Sequence, residues 1–145
     1  MKDQRPPQQL TPLANAITSL ERLHERVLDQ HFMATQDDVV RLGLQAGLIQ
    51  NFEFTYELCW KSIRRWLANN VSPDSADGVT RRELFRLAAE NRLLEDVDEW
   101  MVYHEARNQT SHRYDSALAT DVLGVIGNFI HAAHHLHDRL AAHHD

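Results

Sequence analysis

Cysteine, glycine, proline and positive charge are all scarce in this chain, and each shortage closes off a class of protein. One cysteine, Cys59, excludes an internal disulfide and any metal site built from several thiolates. It sits inside an apolar run, where a small core residue is expected. Five glycines and four prolines in 145 residues are few for an architecture of strands and tight turns. No apolar run approaches the ~18 residues that a membrane span needs. The opening MKDQRPPQQL places no apolar stretch after its charges, so it does not read as a signal peptide. A cytoplasmic protein with no membrane partner is expected. Lys and Arg total 15 against 21 Asp and Glu, a net charge of −6. A protein that coats nucleic acid nonspecifically carries the opposite sign, so any contact with RNA or DNA has to be local.

What is present is ordinary globular material, 43% hydrophobic and 25% charged, at a length that suits one domain with its own core. Residues 1–10 are polar and contain prolines, the composition of a flexible arm, and 11–145 are expected to form the single domain. Thr11 before Pro12 reads as an N-cap with proline in the first turn. From Leu13 apolar residues recur at helical spacing to about residue 34. A second helix is expected from Gln36–Asp38, with the stripe Val39, Leu42, Ala46, Ile49, then position 53, then Tyr56, Trp60, Ile63 and Leu67. The segment NNVSPDSADG, 69–78, is a loop. Thr80 and Glu83 form a capping-box pattern for a short third helix to about Asn91. A fourth runs from about Glu95 through Trp100, Tyr103 and Ala106. Asp115 or Ser116 can cap a fifth, which carries Leu118 through Leu140. No strand pattern or repeat appears. The fold expected is all-α, an up-and-down bundle of four to five helices.

Four features depart from that regular pattern. Glu53 occupies a core-facing position of the second helix, where a carboxylate is costly unless paired. Either the helix turns it to solvent, or it faces a polar centre and pairs with an arginine, for which Arg107 is the candidate. Lys61, Arg64, Arg65, Arg81, Arg82, Arg86 and Arg92 hold seven of the 15 basic residues. They form either a solvated mixed surface or, around Lys61, Arg64, Arg65 and Arg81, a patch facing RNA phosphates. The last helix is crowded with histidines. His131 and His135 have a spacing metals use, but no acidic or thiol residue completes a ligand set, so no metal is expected.

The fourth feature is RNQTSHRYD, residues 107–115, which lacks any aliphatic residue. On an ideal helix Arg107 and His112 point about 140° apart, at ~100° per residue. They act together only if the helix ends or distorts between them, or if they meet across an interface between two chains. The residues between them, Asn108 to Ser111, are weak helix formers that compete for backbone hydrogen bonds. Histidine exchanges protons near neutral pH, and arginine suits phosphate oxygens. As a site, the pair suits cleavage of RNA by its own 2′-hydroxyl, with His112 moving the proton and Arg107 stabilising charge on phosphorus. That reaction needs both an acid and a base, and a symmetric homodimer would supply a second histidine. Tyr114 is either a packing aromatic or a phenol placed for substrate contact or modification.

The segments NFEFTYELCWKSIRRWL (51–67), RELFRLAAE (82–90) and RNQTSHRYD (107–115), in that order, resemble the nucleotidyltransferase substrate-binding family. This is an all-helical group of the HEPN superfamily whose studied type is the HepT toxin. The resemblance covers roughly residues 10 to 140. It implies a ribonuclease toxin of a type VII-like toxin–antitoxin pair, needing no cofactor, with an Arg-x4-His-x-Tyr motif that Arg107, His112 and Tyr114 match. It implies a homodimer with the motif near the dimer cleft. It also implies a cognate antitoxin, a small MntA-type nucleotidyltransferase that moves AMP from ATP onto the tyrosine. Asn108 and Asp115 match the family pattern as supporting residues. The family name preserves another idea, a helical subunit that binds substrate for the transferase and has no catalysis of its own.

Overall fold

The computed structural model describes residues 9–112 and 116–142, and for 112 and 116–119 the backbone alone. Every regular element among them is helical. The α-helices are α1 (Thr11–Leu28), α2 (Gln30–Ala34), α3 (Asp38–Asn70), α4 (Arg81–Glu90), α5 (Val97–Gln109) and α6 (Ser116–Ala142). A 3₁₀ turn, Thr110–His112, follows α5. The all-α bundle is the expected class, with six α-helices among the described residues instead of four to five.

The additional helix comes from a break in the first one. At Asp29 the chain turns extended (φ −76°, ψ 97°), and the Asp29 carboxylate accepts the backbone N–H of Phe32 to start α2. Asp29 thus acts as a capping residue, not as part of a solvated helix face. The start of α1 also differs. Leu10 is the N-cap, no side chain caps it, and Thr11 is already helical, with Pro12 in the first turn. Leu10 packs against the core, so the last residue of the expected arm belongs to the bundle. Residues 1–8 lie outside the description.

Helices α1 and α3 run antiparallel, and three contacts fix their register. Thr55 Oγ1 donates to the Ala16 carbonyl (3.4 Å), the Asn51 amide donates to the Ser19 hydroxyl (3.3 Å), and Gly47 lies opposite Leu23. Continued at that pitch, the register brings Leu28, the last residue of α1, level with about Leu42. The first turns of α3 therefore extend past the end of α1. This accounts for a departure from the expected stripe. Val39 and Leu42 are 80% and 66% exposed, and the buried face begins at Leu48 and Ile49.

From there the core is continuous. Phe52 on α3 meets Phe129 on α6 edge to face at 5.0 Å, and Trp100 and Tyr103 on α5 pack on the same Phe129. Phe85 extends the cluster into α4 through Trp100 (5.6 Å). Edge-to-face rings carry orientation as well as buried area, so this cluster fixes how α5 faces α3. Cys59 is fully buried, and burial pushes its thiol well above the ordinary range.

The approach to α5 is set by two caps and one stop. Thr80 Oγ1 accepts the Glu83 backbone N–H (3.1 Å), and Asp96 does the same for Glu99 (3.2 Å). The Glu83 side chain pairs with Arg86 (3.2 Å). Helix α4 stops through a Schellman pair, with Leu93 N–H donating to Ala88 and Arg92 N–H to Ala89. Arg92 takes the left-handed position, φ 63°, usually left to glycine. Replacing Arg92 by glycine is expected to raise the unfolding free energy by about 0.5–1 kcal/mol. Denaturant melts at constant m-value measure this, and an unchanged or lower midpoint would contradict it.

Candidate functional site

The last two turns of α5 carry the site, because the aromatic cluster holds that helix with one polar edge against α3. Trp100, Tyr103 and Ala106 point into the core. His104 and Arg107 lie one turn on from Trp100 and Tyr103, along the flank of that buried face, with the exposed Asn108 one turn beyond His104.

Arg107 is held from three directions. Its Nε donates to Glu57 Oε1 (3.3 Å), and its Nη1 donates to Thr110 Oγ1 (3.2 Å) and lies 4.0 Å from Glu53 Oε2. Glu53 and Glu57 are one turn apart on α3. Of the two expectations for Glu53, the structure has the pairing with Arg107: its side chain is only 19% exposed. Thr110 is buried, and its hydroxyl donates in turn to the Arg107 carbonyl (2.6 Å). The α-helix ends at Gln109, between Arg107 and His112, and the chain tightens into the 3₁₀ turn. His112 is the last residue of that turn. Its side chain, Tyr114 and Asp115 lie outside the described residues.

Glu57 joins this arginine to an aromatic stack. Its second oxygen accepts from the Trp60 indole N–H (2.9 Å). Arg81, the first residue of α4, lies over the Trp60 ring at 3.5 Å, with Arg64 at 5.1 Å and Lys61 at 5.7 Å. The Arg81 Nε is buried with no hydrogen-bond partner among the described residues. The four basic residues picked out in the sequence thus divide. Lys61, Arg64 and Arg65 form one wall of a cavity of about 490 Å³ between α1, α3 and residues 73–77. Arg81 covers Trp60 and faces Tyr56, Glu57 and His104.

Three members of this network do not stand out in the sequence. Glu57 is hidden beside Glu53, although its i,i+4 spacing was the available signal. Trp60 falls on the apolar stripe by its spacing, and the structure leaves it half-buried. His104 carries no motif at all. Its Nδ1 is 2.7 Å from the hydroxyl of Tyr56, whose ring is buried, and its Nε2 is 3.5 Å from the Asn108 amide. Burial pushes the Tyr56 phenol well above its ordinary value, with Arg81 opposing the shift. Burial, then Arg81, and finally Arg107 hold His104 below its ordinary 6.5, against the pull of Glu105 and Glu57.

Elsewhere, His134 pairs with Glu21 (3.3 Å) and His135 lies 3.9 Å from Glu95. No group of three or more candidate metal ligands occurs among the described residues. No helix among them is long and apolar enough to cross a membrane.

Residues 8–142 match the family model described as nucleotidyltransferase substrate binding protein like. A curated relative from Haemophilus influenzae, named probable ribonuclease HepT, is 34% identical over 122 residues, covering 83% of this chain and 84% of the relative. A solved structure from Haemophilus influenzae, described as the fold of a substrate binding domain of a nucleotidyltransferase, superposes with a TM-score of 0.88 at 32% identity. It covers 92% of this chain and 99% of its own. A protein from Thermus thermophilus shares the fold, with a TM-score of 0.69 at 22% identity, covering 88% of this chain and 98% of its own.

The His104 shift has a measurable sign. A histidine whose folded value lies below its unfolded one leaves the unfolded chain holding more protons through that interval. Stability is then fully present above 6.5 and is lost as pH falls towards the folded value. His24 is lowered in the same direction by burial, so part of the slope persists without His104. Thermal melts across the mildly acidic range should show H104Q losing less Tm than the wild type. Parallel curves would refute the assignment.

Proposed function

Because the chain belongs to the nucleotidyltransferase substrate binding protein like family, we propose that it is a ribonuclease toxin that cuts RNA without a metal ion, through attack by the RNA's own 2′-hydroxyl. The observation that carries this reading is the preset guanidinium. Arg107 is fixed by Glu57 and Thr110 on the final turn of α5, just before the 3₁₀ turn that ends at His112. A cation held in place before substrate arrives stabilises charge on phosphorus with little reorganisation. His112 moves the proton. Glu53 supports Arg107, and Asn108 and Asp115 support the motif. The relative named probable ribonuclease HepT favours the same activity.

The working form is a homodimer in the cytoplasm, with the two motifs facing one cleft. RNA is drawn along Lys61, Arg64, Arg65 and Arg81, local positive charge on an acidic chain. The antitoxin is a cognate MntA-type nucleotidyltransferase that transfers AMP to Tyr114. The added phosphate places negative charge and bulk beside Arg107 and His112 and stops cleavage. A second reading, a non-catalytic substrate-binding subunit of such a transferase, draws on the description of the solved Haemophilus influenzae relative and on the net charge of −6.

RNA incubated with the purified protein in EDTA separates the two readings. Cleavage is expected to persist in chelator and to fall roughly 10²–10⁴-fold in H112A and about 10²–10³-fold in R107A. Intact RNA throughout, using unmodified protein, supports the subunit. Co-expression with the transferase is expected to add whole AMP increments to the intact mass, and Y114F is expected to abolish them. Increments that survive in Y114F would place the modification elsewhere.

A further inference from the structure

We propose that His104, backed by Tyr56, is a second proton-transfer group of this site, accepting the proton of the attacking 2′-hydroxyl. The assignment rests on the ribonuclease reading and deepens it. Cleavage needs an acid and a base; the motif offers one histidine per chain, so the second group comes from the motif of the second copy or from within the same chain. The fold places a second imidazole on the same edge of α5, three residues before Arg107 and one turn before Asn108.

The geometry distinguishes the two ring nitrogens. Nδ1 faces the Tyr56 hydroxyl at 2.7 Å, and Tyr56 is 1% exposed, so this end of the ring is anchored from the core. Nε2 faces the outer side, next to the exposed Asn108. A phenol can both donate and accept. It therefore accepts Nδ1–H when the ring is neutral with its Nε2 lone pair outward, and keeps accepting it once Nε2 has taken a proton. A buried phenol needs a hydrogen-bond partner, and here the fold makes that partner the imidazole on the flank that carries Arg107.

The surrounding charges favour the neutral ring. Arg81 approaches from α4, Glu57 and Tyr56 from α3, and Glu105 and Arg107 from α5 itself. Two guanidiniums and partial burial outweigh the two carboxylates, so His104 is free to act as a base at neutral pH. In the step, the 2′-O–H bond breaks and its proton passes to His104 Nε2. The 2′-oxygen bonds to phosphorus and the bond from phosphorus to the 5′-oxygen breaks. Protonated His112 gives its proton to that leaving oxygen. The products are a 2′,3′-cyclic phosphate and a 5′-hydroxyl, and proton exchange with water resets both rings. Arg107 holds the phosphoryl oxygens throughout, and Tyr56 acts as a positioning residue.

The test is the pH dependence of kcat/KM for the full chain on a short oligoribonucleotide in EDTA. The wild type is expected to show an acid limb below 6.5 and an alkaline limb. H104Q should lose about 10²-fold or more and lose the acid limb while keeping the alkaline one. Y56F, which removes one oxygen from a buried ring, should stay active with its acid limb displaced. An active wild type with an H104Q variant that keeps both limbs overturns the role of His104, whatever its rate, and leaves the ribonuclease reading standing. A wild type that cuts no RNA overturns both. If H104Q fails to fold, Y56F decides the matter, and an acid limb unmoved in Y56F overturns the proposal.

Discussion

One ion pair between helices organises the polar side of this bundle: Arg107 on α5 against Glu57 on α3. The guanidinium and carboxylate are each about one-third exposed (31% and 33%), so their attraction is screened and contributes at most about 1 kcal/mol to stability. Its importance is directional. An arginine side chain has many rotamers, and bonds at Nε and Nη1 reduce them to one fork of known aim. The same carboxylate grips the Trp60 indole with its other oxygen, and Arg81 rests on that indole. One acidic side chain therefore sets the position of two cations from two different helices.

The rigidity behind that pair comes from the apolar side. Phe52, Phe129, Trp100 and Tyr103 interlock where α3, α5 and α6 meet. A helix gripped by rings in edge-to-face contact cannot rotate without breaking several contacts together. The polar edge of α5 borders the same grip, with His104 and Arg107 one turn on from Trp100 and Tyr103. Packing thus decides where the charges stand, and the charges need only choose rotamers.

This division explains what could be read from the amino acids. The helical class, the long α3, the Thr80 cap and the end of α5 near residue 110 all follow from local spacing and local hydrogen-bond competition. Glu53 was conspicuous because it interrupts an apolar stripe. Glu57 was not, since a polar residue beside the stripe looks like any solvated side chain. His104 was invisible for the same reason, since its meaning depends on Tyr56, 48 positions away. The exposure of Val39 and Leu42 was equally unreadable, because it depends on where α1 stops, and that in turn depends on Asp29. Local rules located the elements; contacts distant in sequence decided which of their faces matter.

The Thr110 hydroxyl has a double attachment: it receives a bond from the Arg107 side chain and gives one to the Arg107 carbonyl. A single buried oxygen thereby ties the Arg107 fork to the point where its own helix unwinds. Losing that one hydroxyl would therefore free the guanidinium and the carbonyl of its own last turn together.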